Sequence, residues 1–84
     1  MMQSTIENRI RAELSPTHLH IESDGSHYKI IVVSESFAGQ RRLQREQRLN
    51  ALLQDLIASG DIHAVTYVLR TPEEYEKDSR FGTL

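Results

Sequence analysis

The chain has 84 residues, enough for one domain (1–84) and too few for a barrel or a dinucleotide-binding fold, which take roughly 150–250 residues. Ten basic residues against twelve acidic ones leave a net charge of −2, which argues against binding nucleic acid or membrane through bulk charge. There is no cysteine, so disulfides, thiolate zinc sites and an iron–sulfur cluster held by the chain's own thiolates are excluded.

Hydrophobic residues at 38% and charged residues at 26% fit a globular domain rather than a disordered one. Three tyrosines, two phenylalanines and no tryptophan make the core mainly aliphatic. No apolar run approaches the roughly 18 residues of a membrane span. The opening MMQSTIENRI lacks the apolar core of a signal peptide, and a cytoplasmic location is expected.

Ser4-Thr5-Ile6-Glu7 reads as a capping box, in which serine and glutamate satisfy the first free amides of a helix. Met2, Ile6, Ile10 and Leu14 then form one apolar stripe, and Ser15-Pro16 ends the helix. Leu19 and Ile21 alternate with His20 and Glu22, giving a first strand with one dry face. Asp24-Gly25-Ser26 signals a turn, and Tyr28 to Val33 is the most β-prone run. These two strands form an antiparallel hairpin, and the second, apolar on both faces, lies at the centre of the sheet.

Phe37-Ala38-Gly39 makes a break in which Phe37 plugs the core and Gly39 supplies a tight turn. A long helix from about Gln40 to Ala58 follows, with Leu49, Leu52, Leu53, Leu56 and Ile57 on one stripe, stopped by Ser59-Gly60. Ile62 to Leu69 reads as a third strand. Thr71-Pro72-Glu73-Glu74 opens a short acidic last helix, with threonine as N-cap and proline at the first helical position. A tail from about 79 to 84 closes the chain. The order α-β-β-α-β-α predicts an α+β fold: a three-stranded mixed sheet with helices on one face and the second and third strands parallel.

His63 opens the third strand at a sheet end. Neutral imidazole is a borderline ligand suited to iron, yet on sequence alone the same histidine reads more readily as a partly exposed strand-start residue without a role. The four histidines do not make a zinc site, since none is in a helical H-x₃-H spacing and His18-x-His20 offers only two ligands. Arg41, Arg45 and Arg48, with Arg42 nearby, cluster on the first turns of the long helix, against the helix dipole. They read either as a basic patch for phosphate or an acidic partner, or as a solvated face neutralised by Glu46 and its neighbours. No GXXG clamp of a nucleic-acid-binding KH domain occurs, and no nucleophile–base spacing supports catalysis, so the chain reads as a non-enzyme.

The run Asp24-Gly25-Ser26-His27-Tyr28, then Val32-Val33-Ser34, Phe37-x-Gly39, Ile62-His63-Ala64-Val65 and Thr71-Pro72-Glu73-Glu74-Tyr75 resembles the BolA family. The short hairpin loop and the missing thiol resemble its IbaG-like branch. The resemblance spans about His20 to Arg80, and the pairing of "IHA" with "TPEE" eight residues after the histidine is its most specific part. Two departures are plain: Arg45-Glu46-Gln47 stands where the family often has Arg-His-Arg, and Tyr75 stands for its usual tryptophan.

The resemblance implies a type II KH-like fold and a partner of monothiol glutaredoxins. In such a complex the two proteins share a [2Fe–2S] cluster, with glutaredoxin and glutathione holding one iron by thiolates. The isolated chain is expected to carry no cofactor and to be a monomer or a weak homodimer. His63 is the first ligand implied for this chain; the second is expected from the hairpin region, with His27 ahead of Asp24 and Asp24 ahead of His20. The rival expectation is a DNA-binding transcriptional regulator that uses Arg41, Arg42, Arg45 and Arg48, with DNA affinity that is at most weak.

Overall fold

The computed structural model describes residues 2–80. Helix α1 (Met2–Leu14) leads into strands β1 (His18–Asp24) and β2 (His27–Val33), and a 3₁₀ turn (Glu35–Phe37) precedes α2 (Arg42–Leu52) and α3 (Gln54–Ala58). Strand β3 (Ala64–Arg70) and helix α4 (Pro72–Arg80) complete the order. Of the tail expected from about 79 to 84, positions 79 and 80 belong to α4, and 81 to 84 lie outside the described residues.

The sheet order is β1-β2-β3, with β1 antiparallel and β3 parallel to the central β2. Gly25 and Ser26 are the two-residue turn of the hairpin, and Gly25 takes φ +65°, a conformation that costs glycine little. Tyr28, Ile30 and Val32 alternate onto the covered face, where Ile6, Ile10 and Leu14 of α1 and Leu49 and Leu53 meet them in one core. Phe37 is fully buried in that core, and Gly39 adopts φ +79° behind it, as the sequence predicts.

The starts of α1 and β3 differ from the sequence expectation. Helix α1 begins at Met2 rather than at a Ser4 cap, because Met2 packs against the core and draws the helix two residues back; Glu7 instead accepts a bond from Arg11 one turn on. Ile62 is buried in the core before β3 starts, its N–H closing on the Leu56 carbonyl, so β3 begins at Ala64 and His63 stands one residue outside it.

The long helix is in fact two helices. Arg9 of α1 donates to the Leu52 carbonyl (3.2 Å) and forks onto the Asp55 carboxylate (2.6 and 2.9 Å). With Leu52 O engaged by a side chain, the Leu56 N–H bonds Leu53 O instead (3.0 Å), a 3₁₀ spacing that tightens the chain at Leu53. No local sequence signal marks this break, since its cause lies 43 residues away.

Ser34, 1% exposed, ties the layers together. Its Oγ donates to the Leu14 carbonyl at the end of α1 and receives the Ser36 N–H, while its own N–H reaches Arg70 O at the end of β3.

Candidate functional site

The hairpin end of the sheet is where the predicted ligands come together. Asp24 pairs with His27 across the turn, and His27 pairs in turn with Ala64 of β3. The Ser26 carbonyl accepts from His63 N (2.9 Å) and reaches Ala64 N (3.5 Å), so the residue before the strand is pinned to the hairpin loop by its backbone. A strand spacing near 5 Å and a rise near 3.3 Å place the His27 and His63 Cα atoms roughly 6 Å apart. Asp24, one strand further out, is roughly 10 Å from β3 by the same spacing. All three side chains are exposed. Because His63 stands outside the pleated ladder, strand alternation does not dictate its direction.

His20 does not join this group. It sits four residues along β1 from Asp24, roughly 13 Å at strand rise, and its Nε2 lies 3.2 Å from Glu22 Oε1. His18 is farther still, its ring stacked on Tyr75 of α4 at a centroid distance of 5.1 Å. Among the described residues no group of three or more His, Cys, Asp or Glu converges to hold a metal ion.

The arginine cluster is divided by the structure. Arg45 is only 8% exposed and is not part of an outer stripe, which corrects the expectation that it meets a partner or nucleic acid. Its guanidinium clamps the Glu74 carboxylate (2.6 and 3.1 Å), donates to Leu69 O (3.0 Å) and Gln40 O (2.9 Å), and lies 5.6 Å above the Phe37 ring. Arg48 also covers Phe37, at 5.8 Å, and donates to Ser36 O and Gln40 Oε1. Arg42 remains outside, its side chain 88% exposed and paired with Glu46, and Arg41 is exposed beside it. The sequence reading missed this use of Arg45 because four arginines in two turns look alike until the buried acceptors above them are known.

Glu74 is held by α4's own cap as well. Its Oε1 accepts the Thr71 N–H (2.9 Å), and Thr71 Oγ1 accepts Glu74 N (3.2 Å), the reciprocal box predicted from "TPEE". The Arg45 bonds, ahead of the cap, hold the carboxyl down at about 2. Asp55, bonded by Arg9, is likewise lowered to about 2. Tyr67, whose hydroxyl donates to Asn50 Oδ1 (2.7 Å), is pushed up to about 12 by burial and by the charge of Glu46.

Helices α1 to α3 on a three-stranded mixed sheet, with imidazoles exposed at the hairpin end, define a small α+β domain. The family model described as "BolA-like protein" matches residues 7–74, and the chain belongs to that family. It is 34% identical over 82 residues to the acid stress protein IbaG of Escherichia coli K12, covering 98% of both chains. It is 36% identical to the DNA-binding transcriptional regulator BolA of Haemophilus influenzae, over 89% of this chain and 82% of that one. The crystal structure of a Bol-like protein from Babesia bovis superposes with a TM-score of 0.80 at 32% identity, over 92% of each chain. These relatives bear the names of stress and regulatory proteins rather than enzymes. Among the described residues no helix is long and apolar enough to cross a membrane.

Proposed function

We propose that this chain is a non-enzymatic partner of a monothiol glutaredoxin, and that His63 and His27 ligate one iron of a [2Fe–2S] cluster shared by the two proteins. The observation that carries the reading is the pinning of His63 to the hairpin loop through Ser26 O, with His27 in the adjoining register position. Two exposed neutral donors suit an iron whose neighbour is held by thiolates, and imidazole in place of thiolate raises the cluster potential. Asp24 is the reserve ligand; a carboxylate is harder, and it lies one strand further from His63. His20 is left out, being a separate group paired with Glu22.

The test mixes the chain with cluster-loaded monothiol glutaredoxin and records visible absorption and circular dichroism. A spectrum distinct from that of the glutaredoxin alone is expected. His63→Ala should abolish it while costing less than about 1 kcal/mol of fold stability, since the side chain is exposed. A spectrum unchanged in His63→Ala removes this residue from the ligands; no spectral change with wild type sinks the reading.

A second reading, DNA binding, is favoured by the name of the Haemophilus influenzae relative. With Arg45 buried and Arg48 engaged, about two to three charges remain for phosphates, so affinity should fall only shallowly with salt. A duplex dissociation constant below about 10⁻⁸ M at physiological salt would instead support a specific regulator.

A further inference from the structure

We propose that the outer edge of β3 receives a short extended segment of another protein, which adds antiparallel along Val65 and Tyr67. This inference goes beyond the iron reading and does not rest on it. The opposite edge strand, β1, exposes His18, His20, Glu22 and Asp24, and such a charged edge discourages pairing. Strand β3 reads Ala-Val-Thr-Tyr-Val-Leu from 64 to 69, without charge or proline, and pairs on one side only, with β2.

The backbone of this edge defines the occupant. Ala64 N bonds Ser26 O and Ser34 N bonds Arg70 O, so the even residues of β3 face β2. The N–H and C=O of Val65 and Tyr67 turn outward, and among the described residues they have no hydrogen-bond partner. The next outward carbonyl, Leu69 O, is taken by Arg45 (3.0 Å) and Arg70 (3.2 Å), so the usable edge ends at Tyr67. In an antiparallel segment, one residue opposite Val65 and one opposite Tyr67 meet all four groups as two hydrogen-bonded pairs. Any extended chain supplies that pattern from its own backbone. So short a pairing buries far less than the roughly 1,200 Å² of a stable interface, which fits a segment rather than a second folded copy.

Side chains beside the edge set what the segment carries. A shallow, mainly apolar cavity lies between Val65 and the side chains of Ala51, Ile57 and Ala58, with Ile57 exposed at its rim. Paired residues share a side-chain direction, so the residue opposite Val65 turns into this cavity, where an aliphatic group fits. Charge sets the direction. Asp61 is exposed just before β3, whereas Arg42 lines the groove at the Leu69–Arg70 end and is engaged only through Nε, by Glu46 (2.9 Å). The segment therefore has an acidic residue about four places before the aliphatic one and a basic residue about two places after it.

The experiment is an NMR titration of the full chain with the synthetic peptide acetyl-Glu-Thr-Thr-Thr-Leu-Thr-Lys-amide, up to about 5 mM. Four backbone bonds and one aliphatic side chain, set against the ordering of the peptide, place the dissociation constant at roughly 10⁻⁴–10⁻³ M. Shifts centred on Val65 and Tyr67 are expected, with slowed exchange of those two amides and no change at Thr66 and Val68. Methylating the leucine nitrogen should weaken binding by about tenfold or more, because that N–H faces Val65 O. Methylating the next threonine nitrogen, which points away from β3, should leave binding within about twofold. Ile57→Ser, at an exposed position and with folding checked by circular dichroism, should weaken the leucine peptide several-fold. The proposal is overturned if the peptide leaves Val65 and Tyr67 unmoved, if the methylated leucine binds as well, or if exchanging the peptide's glutamate and lysine tightens binding. It is equally overturned if those amides respond to hexathymidylate and not to the peptide, or to the chain's own concentration, which would make a nucleic acid or a second copy the occupant.

Discussion

Arg45→Ala tests the division of the arginine cluster most directly. The guanidinium is 8% exposed and satisfies two backbone carbonyls, Gln40 O and Leu69 O, besides the Glu74 carboxylate. Breaking a buried pair from one side costs about 3–5 kcal/mol, but the Glu74 side chain is 44% exposed and regains water, which reduces that figure. Leaving the Gln40 carbonyl short of a donor, and the Leu69 carbonyl with Arg70 alone, restores part of it, at about 1 kcal/mol or more. The expected loss is therefore about 2–4 kcal/mol. An 84-residue domain has about 4–13 kcal/mol in total, so the variant should sit near the edge of folding. Urea unfolding followed by far-ultraviolet circular dichroism at pH 7 measures the change, and a melting point lowered by roughly 10–25 °C should accompany it. Arg42→Ala, on the outside of the same helix, is the control and should change stability by less than about 0.5 kcal/mol. If the two variants lose equally little, Arg45 is a surface residue and the reasoning fails.

Glu74→Gln should destabilise the chain by about 1–2 kcal/mol at neutral pH, after allowance for its exposure. Its carboxyl, ordinarily near 4.5, is lowered to about 2 by Arg45, so this stabilisation is complete above pH 4.5 and is lost as pH falls toward 2. Urea titrations at pH 7, 4 and 2.5 should accordingly find the gap between wild type and Glu74→Gln closing with acid; a constant gap would refute the assignment. Ser34→Ala should cost about 1–3 kcal/mol by the same unfolding assay, because the Leu14 carbonyl and the Ser36 N–H both lose a buried partner. Arg9→Met frees the Leu52 carbonyl, so the Leu56 amide should exchange more slowly as α2 and α3 join; unchanged exchange would place the cause of the break elsewhere.

Most of the fold was legible because its signals are local. The hairpin follows from Asp24-Gly25-Ser26 between two β-prone runs, the glycine after α3 from Ser59-Gly60, and the start of α4 from Thr71-Pro72. What escaped depends on contacts between distant residues: Arg9 against Leu52, Arg45 against Glu74, and Ser34 against Leu14. A side chain that serves as a surface cation and one that satisfies buried carbonyls have the same letter. The site divides in the same way. His63 and His27 were singled out by type and family pattern, but only the parallel register of β2 and β3 shows them adjoining, and the same register separates His20 from them.

The Glu74 carboxylate has a consequence for how this chain changes over generations. One oxygen accepts both the Thr71 amide and Arg45, so the cap of α4 and the seat of α2 are a single contact. Positions 45 and 74 are thereby bound to one another's history, whereas the amide that position 71 contributes is backbone and survives a change of side chain there. Replacement of Arg45 or Glu74 leaves the other with unmet bonds, and a variant of one is weakened until a matching second replacement restores them. Glu46 pairs instead with the exposed Arg42 one turn back on its own helix. Arg45 thus has its place explained by the fold itself, through Glu74, Gln40 O and Leu69 O, without any appeal to a bound partner.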